Sequence, residues 1–394
     1  MAVVELTTNK PVTGPNPFTL GFRPMFLLAG LSGMLLMLQW LLLLGGLGPA
    51  PAHYPGHFWH SHEMLFGYTA AVIVGFLLTA SRNWTGIQTL NGVWLAALAL
   101  LWLAGRLLPF LAAPGWLVAT IDLAFLLLAG IAVGYPVIKA RQYKNLLFTP
   151  IVLGLWVANL LMHLQFLGIT QSAGPGSRLA VGLIVLLIVI MGTRVIPFFI
   201  ERGTGEKVLQ SKSLDMAGNF FITAWLVVWV LDAEAPVAGV LAGIAGLLLL
   251  IRWARWHNAG LWRVPLLWIL YLGFLFIPLG LGLRLAATFG WISPSLASHA
   301  FTAGAIGCLT LGMMARVALG HTGRPLEHNG LILSSFLLIV TAAAIRLLAG
   351  VPQLAEHYLT LIHVSGGFWI TAFLLFVINY LPVLLMARVD GRPG

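Results

Sequence analysis

Apolar runs recur from one end of the chain to the other, with short polar stretches between them. Each run has about 20 residues, which is enough to cross a hydrocarbon core of about 30 Å as an α-helix. The pattern therefore predicts an all-α, polytopic transmembrane bundle of about 12 helices. The predicted spans are 24–48, 62–80, 91–108, 115–138, 146–168, 178–200, 214–232, 236–252, 265–288, 297–319, 329–349 and 357–386.

The composition agrees with lipid as the main solvent of the chain. Sixty per cent of the residues are hydrophobic, 8% are charged and the mean hydropathy is +0.97. Soluble domains carry about a quarter charged residues. No low-complexity segment interrupts the spans, so residues 1–394 are predicted to form one membrane domain in contact with the bilayer.

The basic residues predict the orientation of this domain. The net charge of +10 is spread through the loops, which favours a topology signal over nucleic-acid binding. Cytoplasmic loops of membrane proteins are enriched in Lys and Arg. Most basic residues lie on the side of Lys10 and Arg23, so both termini are predicted to be cytoplasmic. The other loops and tail on this side hold Arg82, Lys139, Arg141, Lys144, Arg202, Lys207, Lys212, Arg252, Arg255, Arg263, Arg324, Arg388 and Arg392.

Several kinds of site are excluded by what the sequence lacks. Cys308 is the only cysteine, which rules out an intramolecular disulfide and a thiolate zinc site. No P-loop, H-E-x-x-H or C-x-x-C-H motif is present, so nucleotide hydrolysis, zinc proteolysis and covalent heme attachment find no support. A transition metal would therefore use histidine, and a heme would be of the b type.

Most histidines lie toward the outer, non-cytoplasmic ends of the predicted spans. Neutral imidazole is a common ligand of heme iron and copper, so this layer predicts redox metal centres. The alternative is a set of interfacial hydrogen-bonding residues. His60 and His62 point in roughly opposite directions on a helix, so one segment can serve two sites. The candidates for copper or a second heme are His57, His60, His163 and His363, with Met64 as a weaker thioether ligand.

The charged residues within the predicted spans also lie toward the outer, non-cytoplasmic ends. Arg106, Asp122, Arg284 and Arg346 fall near the outer ends of their spans, where a charge needs a partner. Heme propionates would pair with the three arginines. The alternative is an ion pair between an arginine and Asp122.

An internal repeat selects one pair of ligands. Aligning His62 with His299 gives a shared H-x4-G-x7-G-x9-T-G pattern. We interpret it as a parallel duplication of spans one to four as spans nine to twelve, with residues 1–140 and 257–394 as the repeats and 141–256 as the middle helices. Pseudo-twofold symmetry then predicts His62 and His299 as the two axial ligands of one heme.

The cytoplasmic ends of spans two and ten carry related polar motifs. They are consistent with helix capping, and a functional role is the alternative. Arg194 lies near Pro197 inside span six, and Glu63 follows His62. These two residues are the catalytic candidates, as parts of an electron or proton route. The motif residues are Arg82, Asn83, Trp84, Arg316, His321 and Arg324.

A set of short motifs extends over nearly the whole chain. They are Phe22-Arg23-Pro24, residues 59–67, residues 75–80, Asn83-Trp84-Thr85-Gly86, His299-Ala300, residues 320–324 and residues 388–392. In these motifs the sequence resembles the NnrS family of bacterial inner-membrane proteins with about twelve spans. The resemblance implies a bacterial cytoplasmic-membrane location, heme, copper and a role in nitric oxide metabolism and resistance.

Three functions are compatible with these features. The first is a heme and copper protein that binds nitric oxide and reduces it, as a nitric oxide reductase-like oxidoreductase with a quinol or another electron donor. The second is a non-catalytic, nitric-oxide-responsive metal-binding protein. The third is a multi-span solute transporter without redox metal, since span number and parallel repeats also fit that architecture.

Overall fold

A computed structural model describes residues 14–391, and twelve helices in this range are long and apolar enough to cross a membrane. The described part is all-helical, so the predicted fold class is confirmed. Lys10 and Arg392 lie outside the described residues. The spanning helices are α1 (Phe22–Leu44), α2 (Gly56–Thr85), α3 (Gly92–Phe110), α4 (Gly115–Lys139), α5 (Tyr143–Phe166), α6 (Ala173–Thr204), α7 (Lys212–Leu231), α8 (Pro236–Arg255), α9 (Pro265–Thr288), α10 (Pro294–His321), α11 (Gly330–Leu348) and α12 (Pro352–Leu385).

Capping residues in the sequence mark where several helices begin and end. Helices α2 and α6 stop at Gly86 and Gly205, which adopt φ of +69° and +77°. Glycine ends a helix in this left-handed conformation because it has no Cβ to clash. Ser211 and Asn329 begin α7 and α11 by accepting backbone N–H groups with their side chains.

Three helices begin at least five residues earlier than their hydropathy predicts. Helix α2 starts at Gly56 rather than at 62, α6 at Ala173 rather than at 178, and α12 at Pro352 rather than at 357. The added turns of α2 contain His57 and His60, which lower the local hydropathy. These turns remain helical because neighbouring helices pack on them. Both histidines are thus placed on a helix instead of in a loop.

Helices α2 and α10 form the interior of the bundle. Their apolar windows are 83% and 78% buried, more than in any other described span. Helix α2 packs against α1 and α4, whereas α10 packs against α9 and α11. Glycines permit the close approach. A Cβ on Gly75 would lie 2.8 Å from the Met25 side chain, and one on Gly304 would lie 2.4 Å from Phe276.

Each interior helix contains a π-helical segment directly after a histidine. Glu63–Thr69 follows His62 in α2, and Ala300–Ile306 follows His299 in α10. Such segments are rare and frequently mark functional sites. They occupy equivalent positions in the repeat alignment. The duplication itself and the cytoplasmic termini remain predictions.

Candidate metal centres

Helices α2 to α5 enclose a group of polar side chains at the end of the bundle where α2 begins. All of them are at most 5% exposed. We call this group the buried polar cluster, which consists of His62, Glu63, Arg106, Asp122, Asn159 and His163.

Asp122 is the centre of this cluster. Its Oδ2 accepts hydrogen bonds from Asn159 Nδ2 at 2.7 Å and from His163 Nε2 at 3.0 Å. Its Oδ1 accepts from the guanidinium of Arg106, whose Nε lies 3.2 Å from Glu63 Oε2. Arg106 therefore fixes both carboxylates in place through charge-assisted contacts.

His62 has acceptors at both ring nitrogens. Nδ1 lies 3.0 Å from Glu63 Oε1, and Nε2 lies 2.9 Å from Asn159 Oδ1 and 3.2 Å from Asp122 Oδ2. A histidine that donates from both nitrogens is an imidazolium. With this proton, two positive charges balance two negative ones. With a neutral His62, the cluster would keep one unbalanced negative charge in a low-dielectric interior.

The cluster continues into the loop before α2. His53 Nε2 lies 3.1 Å from His163 Nδ1, and the Tyr54 ring packs on His62 with centroids 4.6 Å apart. Burial, with a smaller effect of His163, lowers the pKa of His53 to about 4. A neutral His53 then donates to His163, which in turn donates from Nε2 to Asp122. The hydrogen bonds from His53 to His163 and from His163 to Asp122 thus give each of the three residues a defined donor or acceptor role.

Three members of the cluster could hold a metal ion. His62, Asp122 and His163 each offer one ligand atom, and these atoms lie within 4.8 Å of one another. Two imidazoles and a carboxylate suit copper or zinc. With a neutral His62, the cluster lacks one positive charge. A proton on His62 or a bound monovalent cation such as Cu(I) supplies this charge.

A cavity of about 500 Å³ lies beside this cluster. This volume falls in the usual range of cofactor sites. Its wall is largely aromatic and apolar, with a few charged and ring-nitrogen groups. We call it the histidine cavity, and its lining includes Trp40, His57, His60, Met64, Tyr68, Arg178, Trp229, His299, Arg346 and Trp369.

Two histidines in the wall have ring nitrogens free for a ligand. His299 Nδ1 donates to the Ser295 carbonyl oxygen at 2.8 Å, so Nε2 keeps its lone pair. His60 stacks on Trp40 with ring centroids 4.6 Å apart, and its buried Nδ1 has no hydrogen-bond partner among the described residues. A buried nitrogen without a hydrogen-bond partner calls for an explanation, and a bound metal or ligand is one such explanation.

The structure places His62 and His299 in different sites. His62 belongs to the buried polar cluster, and both of its ring nitrogens are engaged there. The histidines that share the cavity with His299 are His57 and His60. The predicted pairing of His62 with His299 on one heme is therefore not the arrangement observed. His60 and His62 point to different sides of one helical segment, as helix geometry predicted, and their roles in two metal sites stay a prediction.

The arginines predicted to bind propionates are also divided. Arg346 lines the histidine cavity, whereas Arg106 pairs with Asp122, as the alternative interpretation proposed. Arg284 donates to the Ala233 carbonyl oxygen at 2.7 Å and lies over Trp229. Arg178, which the sequence did not single out, lines the cavity. It lies at the predicted start of span six, where an arginine is expected to reach the interface.

The remaining candidates have different positions. His57 and Met64 line the histidine cavity. His363 is exposed, and its Nδ1 donates to the Leu359 carbonyl oxygen at 2.7 Å. Glu63 belongs to the buried polar cluster. Arg194 is exposed and donates to Asn145 Oδ1 at 3.4 Å, away from both sites.

The two polar motifs meet at the opposite end of α2 and α10. Asn83 Nδ2 lies 3.5 Å from His321 Nε2, and Arg388 donates to the His321 carbonyl oxygen at 2.7 Å. Arg316 lies 4.1 Å from the centroid of the Phe199 ring, and Trp84 stacks on Phe148. Arg82 and Arg324 are partly buried in the same region. These contacts join the two halves of the bundle.

Comparison with known proteins identifies the family of this chain. A family model described as NnrS protein matches residues 16–388, nearly the whole chain. Among curated proteins, no match was found.

Proposed function

Since the chain belongs to the NnrS family, a family of nitric-oxide-related membrane proteins, we propose that it binds heme b and copper and reduces nitric oxide. Its role would be resistance to nitric oxide stress in the bacterial inner membrane. The observation that carries the proposal is a cavity of about 500 Å³ with two histidines that have free ring nitrogens.

His60 and His299 are the proposed heme ligands. They come from the two interior helices, so the macrocycle would lie between α2 and α10. Arg178 and Arg346 in the same wall would pair with the propionates, because guanidinium groups bind carboxylates well. Bound heme supplies an iron that binds nitric oxide and cycles between oxidation states. The protein residues hold it, orient it and exclude water from it.

The buried polar cluster is the proposed copper site. His62, Asp122 and His163 offer three ligand atoms within 4.8 Å, and Arg106 orients the carboxylate. Histidine suits copper, and an outer-shell partner of this kind positions a ligand. Copper would displace the proton of His62. His57 and Met64 in the histidine cavity are the second choice for copper.

The reaction requires both electrons and protons. Two nitric oxide molecules, two electrons and two protons give one nitrous oxide and one water. A quinol or another membrane electron donor is the proposed source of electrons. Glu63, which accepts from His62 and contacts Arg106, is the proposed proton-carrying residue.

A visible spectrum of the purified protein tests the heme proposal. A Soret band is expected, and it should disappear in His60→Ala and in His299→Ala. His363→Ala is the matched control, because His363 is exposed outside the cavity. Loss of the band in His62→Ala with its retention in His60→Ala would instead support the pairing derived from the repeat.

Two further measurements separate the alternatives. Metal analysis of wild type and His163→Ala tests the copper site, where the variant should lose copper and keep heme. Anaerobic nitric oxide consumption by the reduced protein separates an enzyme from a non-catalytic binder. Absence of any Soret band would favour the transporter.

A further inference from the structure

A second, smaller cavity lies deeper in the bundle, between α1, α2, α6, α9 and α10. Its volume is about 90 Å³. We call it the apolar cavity. Its lining includes Val72, Phe76, Met191, Val195, Leu309 and Met313.

Water has almost no hydrogen-bond partners in this cavity. Thr310 is the only residue of its lining with a polar side chain. Its hydroxyl group is already engaged, since it donates to the Ile306 carbonyl oxygen at 2.5 Å and is hydrogen-bonded to Tyr68. A buried water needs two to four polar partners, and apolar cavities stay dry and take apolar ligands. The occupant is therefore expected to be apolar.

The apolar cavity and the histidine cavity share a wall. Thr310 lines the apolar cavity, and Tyr68 lines the histidine cavity. The hydrogen bond between their side chains joins α2 to α10 across this wall. Tyr68 itself is 1% exposed and packs against Trp369 and Phe373. The side chains of Tyr68 and Thr310 thus lie at the boundary between the two cavities.

The size and position of the apolar cavity select a class of ligand. A volume of about 90 Å³ holds a diatomic gas molecule or a xenon atom, but not a heme or a quinol. Phe76, Met191, Val195 and Met313 are only partly buried, so this wall is open to small molecules from outside the bundle.

We propose that the apolar cavity binds a small apolar gas and admits nitric oxide to the histidine cavity past Tyr68. The gas-binding part stands on the cavity alone. The delivery part rests on the proposed function, because it requires a nitric oxide site in the histidine cavity.

Xenon tests the gas site without any metal. Crystals of the full chain pressurised with xenon should show an anomalous peak between Val72 and Val195. The peak should be lost in Val195→Phe, whose ring fills the cavity. It should be kept in Val227→Phe, because Val227 is 53% exposed on α7. A wild-type cavity without xenon, a peak unchanged in Val195→Phe, or an acyl chain in the cavity would overturn the proposal.

Nitric oxide kinetics test the delivery part on the heme-loaded protein. Val195→Phe should slow both binding and release by about tenfold, as expected for a blocked passage, and leave the equilibrium affinity unchanged. Tyr68→Phe, which loses the bond to Thr310, should speed both rates. Unchanged rates in Val195→Phe would overturn the delivery route. A missing Soret band would contradict the proposed function. It would leave the xenon test of the gas site unaffected.

Discussion

The buried polar cluster and the histidine cavity lie on opposite faces of α2, yet they use their polar groups differently. In the cluster, Asp122 and His62 have hydrogen-bond partners on every side. In the cavity, His60 and His299 each keep a ring nitrogen without a hydrogen-bond partner in the described part of the chain. A dense network of hydrogen bonds and ion pairs rigidifies the helices that carry it, whereas nitrogens without partners remain available to a ligand. The difference assigns stability mainly to the first region and the proposed heme binding to the second.

The largest expected effect is a loss of protein stability when the buried polar cluster is disrupted. Asp122→Ala removes the carboxylate that faces Arg106, His62 and His163, and it leaves a buried guanidinium with Glu63 alone. Breaking a buried ion pair costs about 3–5 kcal/mol. The thermal unfolding midpoint of the purified protein should fall strongly. His299→Ala, measured without heme, is the comparison and should unfold close to wild type. Equal stability of the Asp122 variant and wild type would refute the division of roles.

A smaller effect is expected at the arginines of the cavity. Arg346→Met should weaken heme binding by the loss of one charge-assisted contact, about 1.5–3 kcal/mol, which lowers heme occupancy. Arg284→Met is the matched control, since Arg284 bonds a backbone carbonyl outside the cavity lining. Titration of the heme-free protein with heme measures both. A loss of affinity in the Arg284 variant as large as in the Arg346 variant would contradict this assignment.

The smallest effect is expected at the edge of the cluster. His53→Ala removes the hydrogen bond to His163 and should reduce the free energy of unfolding by about 0.5–1.5 kcal/mol. His53 is neutral in the folded protein at pH 7, because its pKa is lowered to about 4. Its folded pKa lies below the ordinary value, so its stabilising effect is present above pH 6.5 and is lost as the pH falls toward 4. The stability difference between variant and wild type should therefore shrink over this window.

Much of the fold follows from the sequence because lipid allows few solutions. Every backbone polar group must be paired inside the bilayer, so each apolar run had to become a helix. The layer of histidines and buried arginines was also predictable from helix geometry alone. The early start of α2 was not, since hydropathy averages the polar residues 57–62 with the loop before them.

The partners of individual side chains depend on packing that no sequence pattern specifies. His60 and His62 have the same chemistry, and only the neighbours of α2 decide which one faces α10. Symmetry selected His62, but Glu63 engages its Nδ1, and Asn159 and Asp122 engage its Nε2. Arg178 was overlooked because it stood at a predicted span boundary. The pairing of Arg106 with Asp122 was foreseen only as an alternative to propionate binding.

The π-helical segments have a geometric consequence for how this protein can vary. A π-turn accommodates one more residue than an α-turn, and one residue corresponds to a rotation of about 100° around the helix. A π-turn therefore absorbs most of the rotation that an extra residue would otherwise cause. Removing one residue from Glu63–Thr69 or Ala300–Ile306 would convert the π-turn to an α-turn and leave the preceding histidine close to its present direction. The length of α2 or α10 can thereby change by one residue at this position while the imidazole and the packed helix after it keep their relative orientation.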